Sequence, residues 1–393
     1  VRWSFEMSSS VFEGVLPDYD GGSVVNLVSS IVQSRGGSSP HAPCRHLPAE
    51  RLKEARHVVY LLVDGLGSAQ VDHHLAEGRG EAFFAREERH ALTTVFPSTT
   101  SAAVTTFTTG TTPSEHGIVG WHVQLPDLGG VATVLLGTTR TEAPMMPEGF
   151  DWRGYYRIPS HVESAPCRKV MLSYGNIASR PFNRALTRWD ATMKYRSLTG
   201  LAARIAEMTA HREPSLGYAY WPRFDALSHE HGDTSTQAGK HFRYLDRSLA
   251  QLREQLRGTG TVLCVSADHG FDSVTPEGGY IDLFSLQGFR DCLATAPAGD
   301  PRQVQCFVRP DRVDEFHAFV SSELGHACAC MTGEQLLDSG ALGPGVEHPE
   351  LRRRVGDFVL LARPGWALAW DAPGLPVYRK VGNHGGMSER EMR

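Results

Sequence analysis

Six side chains in this sequence combine the types and placements that metal-assisted chemistry needs: Asp64, Asp225, His229, Asp268, His269 and His384. Asp225 and His229 stand four apart, a spacing that lets both converge on one cation from a helical turn or a tight loop. Asp268 and His269 are adjacent. His384 lies in Gly-Asn-His-Gly-Gly, where glycines let the backbone approach a crowded site. Carboxylates mixed with imidazoles favour zinc or a similar divalent ion, and two such ions about 4 Å apart form the clamp used for in-line displacement at phosphorus. That chemistry needs a nucleophile. Between Val95 and His122 the chain carries eleven threonines and serines. If this stretch begins a helix just after a strand, one hydroxyl can reach a metal while the helix N-terminus faces an anion.

The surrounding pattern says how these residues are held. His57 to Val63 (HVVYLLV) and Thr261 to Ser266 (TVLCVS) are expected strands, each ending next to an acidic residue. Leu216 to Tyr220 is expected as a third strand, before Asp225. Ser197 to Met208 and Thr234 to Arg257 are expected helices. The alternation predicts an α/β fold with a mostly parallel central sheet and helices on both faces, its ligands gathered at the carboxyl ends of the strands. From Gln303 the pattern changes to strand (VQCFV), helix (VDEFHAFVSSELG), strand (ACACM) and helix (GEQLLDSG). We therefore expect a core of residues 1–274 and 346–393 with a small α+β insertion or cap at 275–345. GDFVLLA, from Gly356, is expected to return to the main sheet. Tyr155 to Tyr195 has little regular patterning and suggests a loop over the site, with Arg157, Arg168, Arg180 and Arg184 as possible partners for a substrate oxygen.

In this order the motifs resemble the alkaline phosphatase superfamily, and within it the nucleotide pyrophosphatase/phosphodiesterase-like branch. The pieces are strand-Asp64-Gly; Phe96-Pro-Ser-Thr-Thr100 running to Thr109-Gly110 and His116-Gly-Ile-Val119; Asp225-x-x-x-His229; Asp268-His269-Gly270; and His384-Gly385. The resemblance implies an alkaline phosphatase-like fold and two divalent ions, zinc first and manganese as the alternative. It implies that Asp225, His229 and His384 hold one ion, and that Asp64, Asp268, His269 and the nucleophile hold the other. By the same correspondence the nucleophile is Thr100, with Thr99 and Ser101 as its neighbouring rivals. The reaction implied is cleavage of a phosphodiester or phosphoanhydride through a covalent threonine intermediate, in two in-line steps with net retention at phosphorus.

The chain departs from that branch in places. Where nucleotide pyrophosphatases carry a base-stacking aromatic after the nucleophile and an asparagine after His-Gly-Ile-Val, this sequence has Ser101 and Trp121. The family's Trp-Pro-Gly segment is absent from Met171 to Tyr195. Trp121 or His122 is expected to face the substrate instead. A phosphomonoesterase or phosphonate hydrolase of the same superfamily is the alternative, and a metal-stabilised binding protein is the non-enzymatic one. Sulfatases lack support because their C-x-P-x-R motif is missing.

Composition narrows the partners. The net charge of −5 supplies no global basic field for nucleic acid, so a small phosphate ester or nucleotide-like molecule is the expected partner. The seven cysteines are scattered without paired spacing and read as reduced thiols. No segment approaches eighteen consecutive apolar residues, and no leader pattern is visible. These features favour a cytoplasmic protein, with a removed leader left open. Oligomeric state is not encoded in any motif.

Overall fold

The computed structural model describes residues 14–370 and 379–393. At its centre His57–Val63 is buried at all seven positions, as a strand covered on both sides must be. Successive side chains point to opposite faces. Val59, Leu61 and Val63 join one core with Leu201, Ile205, Leu245 and Leu249, while Val58, Tyr60 and Leu62 join a second with Val28, Ile31, Ala103 and Phe107. The helices Leu198–Thr209 and Thr236–Gln255 supply the first layer, and Val24–Ser34 and Thr100–Thr109 supply the second. Ser197 and Ser235 start the first two by accepting the Gly200 and Ala238 N–H groups, so both expected helices form within a residue or two of their sequence limits.

Five strands make the parallel sheet, in the order Ala191–Tyr195, Arg168–Tyr174, Ser215–Trp221, His57–Val63, Thr261–Ser266. His57 pairs with both Ser215 and Thr261, so Val63, Trp221 and Ser266 finish along one edge. Two of these strands lie in the segment expected to be a loop over the site. Their run RKVMLSY is a sheet strand with Val170 and Leu172 in the core, and its charged first residues masked that pattern.

The expectation of a mostly parallel architecture holds only in part, because the chain also forms a larger seven-stranded antiparallel sheet. Its order is Cys328–Thr332, Phe358–Ala362, Gln303–Cys306, Ala298–Asp300, His122–Leu125, Gly130–Thr133, Thr138–Thr139. The strand, helix, strand and helix expected after Gln303 all form. GDFVLLA does not return to the main sheet: Phe358–Ala362 pairs antiparallel with Gln303–Cys306 and Cys328–Thr332. An apolar run identifies a buried strand but not its partner. This sheet joins residues 298–332 to strands on both sides of the 275–345 segment, and through the Gly299–His122 pair it reaches the end of the hydroxyl-rich stretch.

Candidate active site

Three aspartates leave the carboxyl edge of the parallel sheet. Asp64 follows Val63 directly, Asp268 lies two residues beyond Ser266, and Asp225 is in the first turn of the Arg223–His231 helix that begins after Trp221-Pro222. Gly65 turns the chain between them at φ +74°, where a Cβ would stand 2.4 Å from the Phe271 ring and 3.3 Å from Asp225 Cα. No larger residue fits this close approach. Its N–H donates to Asp268 Oδ1 at 2.9 Å, which fixes that carboxylate with Oδ2 turned inward.

The side chains meet in two overlapping groups. In the first, His229 Nε2 lies 3.3 Å from Asp225 Oδ1, and His384 Nε2 lies 3.6 Å from that oxygen and 3.2 Å from His229 Nε2. In the second, His269 Nε2 lies 3.3 Å from Asp64 Oδ1 and 3.7 Å from Asp268 Oδ2. Asp225 faces both groups. Ligand atoms ~2.0–2.1 Å from a tetrahedral zinc stand roughly 3.3 Å apart, so these spacings suit shared cations.

Two further observations fit a metal. Asp64 Oδ1, Asp225 Oδ1 and Asp268 Oδ2 are buried without a hydrogen-bond donor among the described residues, a costly state for a carboxylate unless a cation compensates it. All three imidazoles also have Nδ1 against a backbone carbonyl: His229 to Gly382 at 2.8 Å, His269 to Gly270 at 3.0 Å and His384 to Ser98 at 3.1 Å. Each carbonyl accepts from Nδ1 and turns Nε2 into the cluster, the usual orientation of a metal-binding histidine.

The charge balance agrees. Burial, then the Asp225 and Asp268 charges, drive the Asp64 carboxyl well above its ordinary range, and burial raises Asp268 as well. Burial lowers His229 to about 4 and His384 well below its ordinary value. Burial would lower His269 too, but Asp268 and Asp64 outweigh it and hold that imidazole at about 10. The carboxylates thus gather positive charge at the point where a divalent ion would supply it.

The hydroxyl-rich stretch separates into distinct environments. Thr99 precedes the helix in extended backbone, and Thr100 is its first residue, one position earlier than a start at Ser101. Thr99 Oγ1 donates to Asp300 Oδ1 at 2.8 Å and Ser101 Oγ donates to the Gly120 carbonyl at 2.6 Å, so both rivals are committed elsewhere. Thr100 Oγ1 lies 3.1 Å from His269 Nε2, within the metal-suited cluster. His116 is fully buried, and its Nδ1 accepts the Ile118 N–H at 3.0 Å, a structural role.

A cavity of about 480 Å³ opens on this cluster. Asp64, Thr100, Asp225, His229 and His384 line it, as do Trp121 and His122. Trp121 donates its backbone N–H to Asp300 Oδ2 at 3.0 Å. Burial, then the nearby Arg140 and Lys380, lower His122 to about 3, so it meets the cavity as a neutral imidazole. Of Arg157, Arg168, Arg180 and Arg184, Arg180 reaches the cavity.

Three lining residues have no motif in the sequence. Tyr220 donates its hydroxyl to Asp64 Oδ2; its place at the end of the Leu216 to Tyr220 run was the available signal. Asp300, pushed up to about 6 by burial, binds Thr99 and Trp121 across from the second sheet. Asp300 also packs where Gly385, at φ +115°, leaves room: a Cβ there would stand 2.7 Å from Asp300 Cβ. Lys380 is held below its ordinary range by burial, and its ammonium has no hydrogen-bond or ion-pair partner among the described residues.

The family model described as type I phosphodiesterase/nucleotide pyrophosphatase matches residues 58–387. Among solved structures, murine ectonucleotide pyrophosphatase/phosphodiesterase 5 is similar in fold, with a TM-score of 0.65 at 17% identity over 86% of each chain. An inactive form of that murine protein in complex with AMP gives 0.64. Phosphonoacetate hydrolase from Sinorhizobium meliloti 1021, in complex with phosphonoformate, gives 0.62 at 17% identity, covering 86% of this chain and 89% of that one. No curated protein sequence matches the chain. Among the described residues no helix is long and apolar enough to cross a membrane.

Proposed function

For a chain that belongs to the type I phosphodiesterase/nucleotide pyrophosphatase family, and is thereby a phosphate-ester hydrolase, we propose cleavage of a phosphodiester or phosphoanhydride through a covalent intermediate on Thr100. The observation that carries this reading is the Thr100 hydroxyl, 3.1 Å from His269 Nε2 at the start of a helix, while the hydroxyls of Thr99 and Ser101 are bound elsewhere. Asp225, His229 and His384 would hold one divalent ion, and Asp64, Asp268, His269 and Thr100 the other. Zinc is the better match to this donor set and manganese the second. Bound there, such ions supply Lewis-acid polarisation and lower the pKa of an oxygen they contact.

The chain's own groups set up the rest. Thr100 Oγ1 is the attacking atom, and its position on the first helical residue leaves the unpaired N–H groups of the first turn beside the phosphoryl oxygens. Tyr220, kept protonated by burial and by the Asp64 charge, donates to Asp64 and holds that carboxylate in one orientation. Asp300 draws the Thr99 hydroxyl away from the reacting centre. The non-reacting end of the substrate would lie among Trp121, His122, Tyr280 and Trp370, beside Arg180 and Lys380, a wall suited to a nucleotide-like or other aromatic group with negative charge.

A second reading, a phosphonate hydrolase or monoesterase, draws on Lys380, whose ammonium, without a partner among the described residues, suits a small substrate with a second anionic group. Rates on bis-p-nitrophenyl phosphate, p-nitrophenyl phosphate and phenylphosphonate, with zinc or manganese loaded, separate the two. The diester should be turned over at least tenfold faster than either competitor. Preference for the monoester or phosphonate would move the assignment to the second reading, and no turnover of any would contradict both.

A further inference from the structure

We propose that His41, Glu115 and His161 form a third divalent-metal site, structural in role and best matched by zinc, at the end of the Thr100–Thr109 helix opposite the nucleophile. A ring nitrogen of each histidine and a Glu115 carboxylate oxygen lie within 4.8 Å of one another. They come from three segments far apart in sequence: His41 from the loop after the Val24–Ser34 helix, Glu115 from the short Pro113–His116 helix, and His161 from the stretch before the Arg168–Tyr174 strand. Their rings meet edge to face at 5.7 Å.

Two atoms are poised and unused. His161 Nε2 is buried with no hydrogen-bond partner among the described residues, and it faces Glu115 Oε1 at 3.9 Å, too far for a hydrogen bond. Glu115 Oε2 is occupied by the Thr112 N–H and by His41 Nε2, both at 2.8 Å, which leaves Oε1 for another ligand. The two contacts, 2.8 Å from His41 Nε2 to Glu115 Oε2 and 3.9 Å from His161 Nε2 to Oε1, lie on either side of the roughly 3.3 Å between ligand atoms of one tetrahedral zinc, and a rotation of the carboxylate that turns one oxygen toward both rings would close the set. Glu115 meets the requirement for an ionised ligand: burial acts to raise its pKa, but contacts from His161, His41 and Thr112 hold it at about 2. To bind, His41 moves its proton to Nδ1 or loses it to solvent, so no oxidant or further reactant is needed.

The location gives the ion its role. The His161 N–H donates to the Thr109 carbonyl at 2.7 Å and closes the end of the helix that starts at Thr100. Nine steps of ~1.5 Å along the helix put its far end, at Thr109, roughly 14 Å from the nucleophile. An ion there would pin the far end of that helix to two loops without touching the substrate.

The test is zinc content per chain after loading and desalting, for the wild type and for His161→Gln, with anomalous diffraction at the zinc edge on wild-type crystals. The wild type should carry one ion more than the variant, the two should hydrolyse bis-p-nitrophenyl phosphate within twofold of each other, and an anomalous peak should lie among His41, Glu115 and His161. Equal zinc content, or a wild-type map with no peak there, overturns the proposal. The readout is a difference at residues outside the cavity, so it stands or falls separately from the active-site assignment.

Discussion

Replacing each of three neighbouring hydroxyls gives a ranked outcome that the structure fixes in advance. Thr100→Ala removes the only one of the three that faces His269, at 3.1 Å. If it is the attacking oxygen, the covalent route is lost and kcat should fall by ~10³-fold or more, the scale seen when a catalytic nucleophile is deleted. Thr99→Ala removes a charge-assisted hydrogen bond to Asp300 worth ~1.5–3 kcal/mol. Felt entirely in the transition state, that is about ten- to a hundredfold, and less if it appears as stability, because Asp300 keeps the Trp121 N–H. Ser101→Ala removes a neutral bond to the Gly120 carbonyl, ~1 kcal/mol or about fivefold. Thr100→Ser keeps an oxygen in place and should retain measurable turnover. The assay is kcat and KM on bis-p-nitrophenyl phosphate, with thermal melts to show that each variant is folded. A loss in Thr99→Ala or Ser101→Ala equal to that in Thr100→Ala would refute the assignment.

Other consequences follow from groups around the site. Lys380→Gln should raise KM about tenfold for a substrate with a second anionic group and leave a neutral-tailed diester within about threefold, one charge-assisted contact being worth ~1.5 kcal/mol or more; equal effects on the two would contradict it. His116 has its pKa lowered to about 3 by burial against ~6.5 in the unfolded chain, so the unfolded state takes the proton first and stability is lost as pH falls from ~6.5 toward 3. At pH 5 that is about 2 kcal/mol, which His116→Asn should abolish in urea melts compared at pH 7 and pH 5; an unchanged pH dependence would remove the argument. Arg302 is buried between Asp272 at 2.9 Å and Glu391 at 3.0 Å. Arg302→Ala should cost ~3–5 kcal/mol by leaving two buried carboxylates unpaired, and adding Asp272→Asn and Glu391→Gln should recover part of it in the same melts.

What the sequence made legible was the part governed by local pattern. A strand ending in Asp64, a D-x-x-x-H pair and Asp268-His269 after another strand each carry their position in their spacing, and the parallel register brings the three aspartates together along one edge. The Thr100 choice rested on family correspondence. Its physical reason became visible only with the partners of Thr99 and Ser101, both of which lie across the chain or beyond the helix. Long-range pairing was the part that local pattern could not show. Phe358–Ala362 is a strand in either sheet by composition, and Arg168–Tyr174 begins with two cations that disguise its buried half. Asp300 and Lys380 were missed for the same reason: nothing near them in sequence marks them, and their place comes from the second sheet and from the approach to His384.

The measurement closest to the central claim is a crystal structure of the protein loaded with zinc and soaked with vanadate. The account predicts one anomalous peak among Asp225, His229 and His384, a second among Asp64, Asp268 and His269, and vanadium within bonding distance of Thr100 Oγ1. Vanadate bound to Thr99 or Ser101, or a cluster that takes no zinc, would contradict it.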